Sequence, residues 1–315
     1  GVTTVRDMGE PLEWVAALAE RSSLTSSAVP RYLYPGDMLI AGWGGYREST
    51  TLVRSEDQVR SGIQRHRDAG ASFIKLHPPL PWPLQLVAAD EARRSGLPIA
   101  AHGMIAQEMV RGVTLGYAFL EHLESFSRFH GDVQQLLAKS GTYWTPTLAV
   151  MGARGALAVE EPERLADAKF CAFFPGSCRR DVEGEESEPD STEIRWYRML
   201  LENITCDVRE ARTRGTNLLL GTDRPDYPVY AMHIEMESFV RAGFSPLEVL
   251  KLSTQGAASA LGIEQDLGTL EPGKLADLVL LDADPLEDIQ NTQSIWRVIK
   301  GGWVFDPEEL RPDRN

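Results

Sequence analysis

NLLLGTDRP, residues 217–225, is the stretch around which the predicted architecture is organised. Residues 217–220 form a largely apolar run with the character of a buried strand, and Gly221 breaks it. Asp223 then stands where the strand opens into a loop. In a chain of alternating strands and helices, the carboxyl end of a strand is where barrel enzymes place catalytic groups. Because a short apolar run alone does not distinguish a strand from a buried helix, other parts of the chain must indicate the same place.

The composition is that of an ordinary globular protein with an acidic surface. The 315 residues are 43% hydrophobic and 25% charged, which suits one large domain and a smaller one. The net charge of −14 argues against binding to nucleic acid or to anionic membranes. No apolar run approaches the roughly 18 residues of a membrane span. The sequence therefore predicts a soluble protein that binds neither nucleic acid nor membrane.

The three cysteines, Cys171, Cys178 and Cys206, carry no metal or redox motif, since no two of them form a CxxC pair. Free thiols are favoured over a bridge between Cys171 and Cys178, which would need an oxidising compartment. The chain begins as a strand already under way, so we expect a further segment before Gly1. The compartment stays open between the cytoplasm and a secreted or periplasmic location with a leader in that segment.

Strands and helices alternate along residues 1–262. Strand patterns occupy residues 2–6, 32–40, 72–77, 98–102, 117–122, 142–150 and 217–220, and helical patterns lie between and after them. This alternation predicts a parallel sheet wound by right-handed crossovers, that is, an α/β fold of the TIM-like (β/α) barrel type. About seven strands are one short of a closed barrel, and the missing first strand would precede Gly1.

The pattern changes to short strands after Gly262. LGTLEPGKLADLVLLD, residues 267–282, predicts a strand, a tight turn and a second strand. WRVIKGGWVF, residues 296–305, predicts a hairpin closed by two glycines. We therefore expect a barrel domain at 1–262 and, at 263–315, the C-terminal strands of a small composite β-sandwich whose edges need partner strands.

Four predicted strands end in a residue that can contribute to a metal site: Lys75, His102, His122 and Asp223. In a barrel such ends converge on one face. Imidazole nitrogen and carboxylate oxygen suit zinc and similar divalent ions. Each residue alone more often has another role, as a structural histidine, a solvated lysine or a turn-forming aspartate. Four of them on alternating strands are much harder to attribute to chance, because a random distribution would place them at both ends of the barrel.

Two further histidines are candidates for binding substrate. His77 follows Lys75 by two residues and therefore shares its strand face, so it either lines the pocket or belongs to the Pro-rich loop. His233 lies ten residues after Asp223 and could reach substrate from the rim. Substrate choice would rest on the loops at residues 42–50, 78–83 and 152–192, which carry no readable code.

The sequence resembles the amidohydrolase superfamily, and within it the prolidase and imidazolonepropionase-like branch. The motifs that carry the resemblance follow one another along nearly the whole chain: GVTTVRDMG, FIKLH, AAHG, FLEH, TPTL, GTD and ALGIEQDLGTLEPGKLADLVLLDADPLEDI. The combination of EPGKLADLVLLD with GTD is specific, whereas TPTL or AAHG alone is not. The resemblance implies a distorted barrel beside a small β-sandwich, with one or two divalent metal ions, above all zinc, at the strand ends.

The resemblance also implies roles for the strand-end residues. Lys75 matches a lysine that is carbamylated and bridges two metal ions. Carbamylation requires neutral lysine, which burial favours, and the product can bridge ions about 3.5–4 Å apart. His102 and His122 match ligands of the more buried ion. Asp223 matches a ligand of the second ion that also acts as general base and acid.

This sequence departs from the family pattern in one respect. The family carries a His-x-His at the end of the first barrel strand, and no His-x-His occurs here. Because the match begins at the second strand, that motif and half of the sandwich would lie before Gly1. As the chain stands, the more buried site could be assembled from Lys75, His102 and His122. The other site would keep Lys75 and Asp223.

The function implied by the resemblance is metal-assisted hydrolysis of an amide C–N bond in a small molecule. The substrate would be a dipeptide, an N-acyl amino acid or a cyclic amide, and a homo-oligomer is an open alternative to a monomer. Two other hypotheses remain. One is a mononuclear, imidazolonepropionase-like hydrolase in which unmodified Lys75 binds substrate. The other is a catalytically incomplete chain that acts only as a structural or binding module.

Overall fold

The computed structural model describes residues 1–42, 47–77, 80–103, 105–123, 128–150, 191–223 and 228–310. The chain divides into two compact units. The first comprises Gly1–His122 and Gly131–Trp144, and the second comprises Leu123–His130 and Thr145–Asn315. This division does not follow the domain boundary predicted at residue 262, which stays a prediction. Of the helices in the described ranges, none combines the length and the apolarity that crossing a membrane requires.

The first unit alternates short strands with helices. Its strands are β1 (Thr4–Arg6), β2 (Arg31–Leu33), β3 (Met38–Ile40), β4 (Thr50–Leu52), β5 (Ile74–Leu76), β6 (Ile99–His102), β7 (Phe119–Glu121) and β8 (Tyr143–Thr145), whose last residue is counted with the second unit. Its helices are α1 (Leu12–Ser23), α2 (Glu56–Asp68), α3 (Trp82–Ser95), α4 (Ala106–Leu115) and α5 (Gly131–Ser140), with a short 3-10 helix at Arg47–Ser49.

The second unit is mainly helical and ends in a small sheet. Its elements are α6 (Ser191–Arg214), β9 (Asn217–Leu218), α7 (Pro228–Arg241), α8 (Pro246–Lys251), a π-helical turn (Leu252–Gly256), α9 (Ala257–Ala260), β10 (Leu278–Leu281), a 3-10 helix (Ile289–Gln293), β11 (Ile295–Lys300) and β12 (Trp303–Phe305). Strands β10, β11 and β12 pair antiparallel in this order.

Seven strands of the described chain form one sheet in the order β4-β3-β5-β6-β7-β8-β9. Pairing is parallel from β4 through β7. In this register Lys75 lies opposite Ala100, and His102 lies opposite Glu121. Because these strands are parallel, their carboxyl ends share one edge, and an α-helix follows each of β4, β5, β6 and β7. This is the predicted α/β arrangement.

Local sequence signals account for the helix boundaries. At the start of α2, the Ser55 side chain accepts the Gln58 N–H at 3.3 Å, and the Gln58 side chain accepts the Arg54 N–H at 2.7 Å. The helix gives way to Gly70, whose φ of 80° is left-handed. Leu39 of β3 and Ile63 of α2 are both 0% exposed, so α2 buries its apolar face in the core.

The strand predicted at 32–40, with an interruption at Pro35 and Gly36, is two strands in different sheets. β2 pairs with β1, whereas β3 pairs with β4 and β5. The break falls at Pro35 and Gly36, because proline supplies no N–H and Gly36 has a φ of 77°. Strand β4 was not predicted. It is three residues long, and exposed Leu52 weakens its apolar pattern.

Of the elements predicted after Gly262, the hairpin is confirmed and the first strand is wrong. Gly301 and Gly302 have φ values of 56° and 84° and close the predicted hairpin between β11 and β12. The strand predicted at residues 267–270 is wrong, since this segment is a loop. The Lys274 Nζ group holds the loop by donating to Glu264 O at 2.7 Å and to Thr269 Oγ1 at 2.5 Å.

Candidate functional site

Three histidines lie together at the carboxyl ends of β5, β6 and β7. The ring centroids of His77 and His102 are 4.8 Å apart, and those of His102 and His122 are 4.6 Å apart. His102 is the last residue of β6, whereas His77 and His122 each directly follow a strand. The parallel register therefore brings together residues from the ends of three separate strands.

An unusual backbone conformation brings His122 into this group. Glu121 lies opposite His102 and so points to the same face of the sheet. Regular extension would turn the next side chain to the other face. His122 instead has a left-handed φ of 69°, which redirects its ring. The Trp144 Nε1–H donates to the His122 carbonyl at 2.8 Å and helps to hold this conformation.

Lys75 lies beneath the histidines in the interior of the first unit. It is 2% exposed and sits in the middle of β5, opposite Ala100. His77 is two positions further along the chain, so the two side chains leave the strand on the same face. Its positive charge is close enough to His102 and His122 to act on the pKa of both rings.

Burial and neighbouring charge keep two of the rings neutral. Burial first, then the charges of Lys75 and His77, lower the pKa of His102 to about 3. Burial likewise lowers the pKa of His122 well below its usual value, with Lys75 as the largest contributing charge. A neutral imidazole keeps a nitrogen lone pair, which is the form that binds a divalent metal ion.

These side chains fit part of a metal site. Neutral imidazoles at 4.6 Å supply two nitrogen donors of the kind that zinc prefers. Within the described ranges, no three His, Cys, Asp or Glu side chains are grouped so as to hold a metal ion. Lys75 would become an oxygen ligand only after carbamylation. The residues present are therefore compatible with a divalent ion, with two histidines as the strongest part of the ligand set.

A buried ion pair adjoins the histidines and was not predicted. The Arg6 Nη2 group lies 2.8 Å from Glu121 Oε1, with the two side chains 11% and 3% exposed. The Arg6 guanidinium also lies 4.3 Å from the Phe119 ring centroid. Arg6 is among the charges that lower the pKa of His122. The sequence did offer a signal for this pair. Glu121 is an acidic residue inside the apolar FLEH motif, and a buried acidic residue needs a partner.

In the second unit, Asp223 follows β9 in a tightly constrained loop. Its φ is 49° and its side chain is exposed. Two residues earlier, a β-carbon at Gly221 would lie 2.6 Å from Thr145 Cγ2. His122, Thr147 and Asp223 are the non-glycine residues of the described chain with positive φ, and each lies in the loop after a strand. Such strain concentrates at functional sites.

His233 lies on α7 and contacts the C-terminal part of the chain. Its Nδ1 atom is 2.8 Å from Thr292 Oγ1, and Tyr230 lies edge-on at 6.3 Å. Its role in substrate binding stays a prediction. Large parts of the predicted pocket loops lie outside the described residues, namely 43–46, 78–79 and 151–190, and so do Cys171 and Cys178. Cys206 is a free, half-buried thiol.

Comparison with known proteins identifies the family and confirms the fold. The amidohydrolase family model matches residues 1–304. Ochratoxinase from Aspergillus niger is 33% identical over 297 residues, which are 90% of this chain and 54% of ochratoxinase. An imidazolonepropionase from Shouchella clausii is 46% identical over 96 residues, 30% of this chain and 22% of that enzyme. The solved structure of a Xaa-Pro dipeptidase superposes with a TM-score of 0.72 at 20% identity, covering 96% of this chain and 75% of that one.

The structural likeness confirms the TIM-like α/β barrel fold. The chain spans about half the length of the curated ochratoxinases that it matches, 54%. The family match extends over residues 1–304 and includes the histidine-bearing strands as well as the loop with Asp223. The chain therefore belongs to the amidohydrolase family.

Proposed function

We propose that the whole protein is a metal-dependent hydrolase that cleaves a carbon–nitrogen bond in a small molecule. The observation that carries the proposal is the pair of neutral rings, His102 and His122, at 4.6 Å beside buried Lys75. The pair lies at the ends of neighbouring parallel strands, where barrel enzymes carry their chemistry. Members of the amidohydrolase family, to which the chain belongs, typically use divalent metal ions.

Four residues would hold the metal, namely Lys75, His102, His122 and Asp223. Zinc is the ion we propose, because two imidazole nitrogens and a carboxylate oxygen match its preferred donors. Carbamylated Lys75 would add two oxygens and could serve two ions at once. A divalent ion held by these residues would polarise an amide carbonyl and lower the pKa of a water molecule.

The side chains then divide the proton transfers. Asp223 accepts the proton of the water that attacks the carbonyl and returns it to the leaving nitrogen, so that one carboxylate serves as base and acid. Its exposed position in the loop after β9 leaves it accessible to water. We assign His77 and His233 to contacts with the substrate. His77 is supported by its position 4.8 Å from the His102 ring.

The substrate class we propose is a dipeptide, an N-acyl amino acid or a cyclic amide. The similarity to proteins named ochratoxinase, Xaa-Pro dipeptidase and imidazolonepropionase supports this range. A fold and a family give the reaction class, whereas loops decide the substrate.

A mononuclear enzyme is the second candidate. The observation in its favour is the local similarity to an imidazolonepropionase, 46% identity over 96 residues. In this case Lys75 would stay unmodified and would bind substrate. The two candidates differ in the number of metal ions per chain.

Elemental analysis of the purified protein, loaded with zinc and checked by intact mass, tests the proposal. Near two ions per chain supports a bridging Lys75, and near one supports the mononuclear candidate. A protein that binds no metal and hydrolyses none of these amides would be a structural or binding module instead. Lys75→Met should lower the metal content, and exposed Lys251→Met is the matched control.

Variants of Asp223 and His102 separate catalysis from metal binding. Asp223→Asn should keep the ion held by the histidines and lose at least about a hundredfold in turnover, the usual contribution of an acid–base group. His102→Ala should lose both metal and turnover. Unchanged turnover in Asp223→Asn would refute the assigned role of this carboxylate.

A further inference from the structure

Helix α7 carries a buried carboxyl group that the proposed reaction does not use. Glu235 is 0% exposed, and its Oε2 atom accepts the Ala149 N–H at 2.7 Å. The same carboxyl group accepts the Leu148 N–H. Within the described chain its Oε1 atom is buried without a hydrogen-bond partner. The group therefore binds backbone in the turn that follows β8.

This turn is strained at Thr147. Thr147 has a left-handed φ of 51° and is 3% exposed. Such a conformation is strained in a residue other than glycine, and it persists only where the surroundings hold it. The Val150 N–H closes the turn on the Thr147 carbonyl at 3.1 Å. Glu235 supplies the support from outside by binding the two residues that come directly after Thr147.

The end of β8, two residues before this turn, is in close contact with the loop that carries Asp223. Thr145, the last residue of β8, is 3% exposed, and its Cγ2 atom would lie 2.6 Å from a β-carbon at Gly221. Gly221 precedes Asp223 by two residues. A shift of the backbone after Thr145 would therefore press on residues 221–223 or open a gap beside them. All of these residues belong to the second unit.

We propose that Glu235 is a positioning residue for Asp223. Its carboxyl group holds the turn at residues 147–149 in the left-handed form. This turn then holds Thr145 in position, and the loop at residues 221–223 packs against Thr145. The first step stands on contacts alone, and the last step rests on the proposed catalytic role of Asp223.

Three variants on one helix separate positioning from stability. Glu235→Gln keeps a carbonyl oxygen for the two N–H groups, whereas Glu235→Leu removes the acceptor at similar volume. Glu237 is the matched control, since it is 6% exposed on the same helix and accepts Gln293 Nε2 at 3.3 Å. Glu237→Leu should lower stability without acting on residues 147–149.

The experiment measures hydrogen exchange of the peptide spanning residues 145–150, together with kcat and KM of the zinc-loaded protein. The probes are N-benzoyl-L-phenylalanine and an Xaa-Pro dipeptide. Glu235→Leu should raise amide exchange in this peptide at least about tenfold and lower kcat at least about tenfold, with a smaller change in KM, because misplacement of a catalytic group mainly lowers kcat. Glu235→Gln should restore both, and Glu237→Leu should change neither.

The outcomes distinguish the two steps. Unchanged exchange in Glu235→Leu overturns the proposal at its first step. If Glu235→Leu raises exchange in this peptide but has the same kcat as Glu237→Leu, the link from the turn to Asp223 is overturned. If Glu235→Leu does not fold, Glu235→Asp, which withdraws the carboxyl group by one methylene, should raise exchange between residues 145 and 150 above that of Glu235→Gln, and equal exchange counts against the proposal. If the unaltered protein hydrolyses none of these substrates, the proposed function is contradicted. The exchange measurement still tests whether Glu235 holds the turn.

Discussion

A β-carbon on Gly221 would lie 2.6 Å from the Cγ2 atom of Thr145, which is closer than real carbon contacts allow. The φ of Gly221 is not positive, so glycine is needed here for space and not for backbone freedom. The GTD motif and the TPTL motif therefore meet at one point, where the end of β8 touches the loop that carries Asp223.

Replacement of this glycine should misplace Asp223. We expect Gly221→Ala to lower stability by about 1–3 kcal/mol through overpacking, and to lower kcat by at least about tenfold. The measurements are urea unfolding and steady-state kinetics of the zinc-loaded protein.

A second substitution makes this test specific. Thr145→Ser removes the Cγ2 methyl group, so the double variant with Gly221→Ala should recover much of the lost stability and turnover. Thr145→Ser alone is the control. If the double variant is no more stable and no more active than Gly221→Ala, the losses do not come from this contact.

The indole of Trp144 should matter for metal binding although it cannot bind metal itself. Trp144→Phe removes the hydrogen bond that the indole donates to the His122 carbonyl, at a cost of about 0.5–1.5 kcal/mol. Loss of such outer support typically weakens metal affinity by about 10- to 100-fold. Zinc titration measures this effect. Trp82→Phe, at a 38% exposed position, is the control and should bind zinc normally.

The ion pair of Arg6 and Glu121 should contribute far more than ion pairs at the surface. Arg6→Met leaves a buried carboxylate without its partner, at an expected cost of about 3–5 kcal/mol. Arg94 pairs with Asp90 at 2.7 Å but is 64% exposed, so Arg94→Met should cost less than about 1 kcal/mol. Chemical unfolding of both variants gives the comparison, and similar losses would mean that burial does not strengthen this pair.

Glu235 should make stability fall as pH rises. Burial raises the pKa of Glu235 from 4.5 to about 8, more than the two backbone hydrogen bonds lower it. Between these values the folded protein binds more protons than the unfolded chain, so folding weakens with pH by up to about 1.4 kcal/mol per unit.

Glu235→Gln removes this titration. The difference in unfolding free energy between the variant and the unaltered protein should therefore grow in favour of the variant from pH 5 to pH 8. Urea unfolding at each pH measures it. A constant difference over that range would show that Glu235 does not change its protonation state there.

Much of the fold could be predicted because its signals are local. Helix α2 is capped by Ser55 and ends before Gly70 for reasons contained within a few residues. The hairpin at Gly301 and Gly302 is likewise encoded by its own turn. The predictions failed where a short element had no local pattern, as at β4, or where an apolar run stayed exposed, as at Leu270, which is 79% exposed.

By itself, the sequence determined the alternation of strands and helices, the family, and the residue types expected at the strand ends. Only the tertiary structure decided which groups meet. Arg6 and Glu121 pair across 115 residues, and Glu235 binds Ala149 across 86. The left-handed turn that brings His122 to His102 is equally invisible in FLEH. Periodicity and capping act over a few residues and can be read from the chain. Contacts between distant residues depend on parallel register and close packing, which exist only once the strands have been assembled.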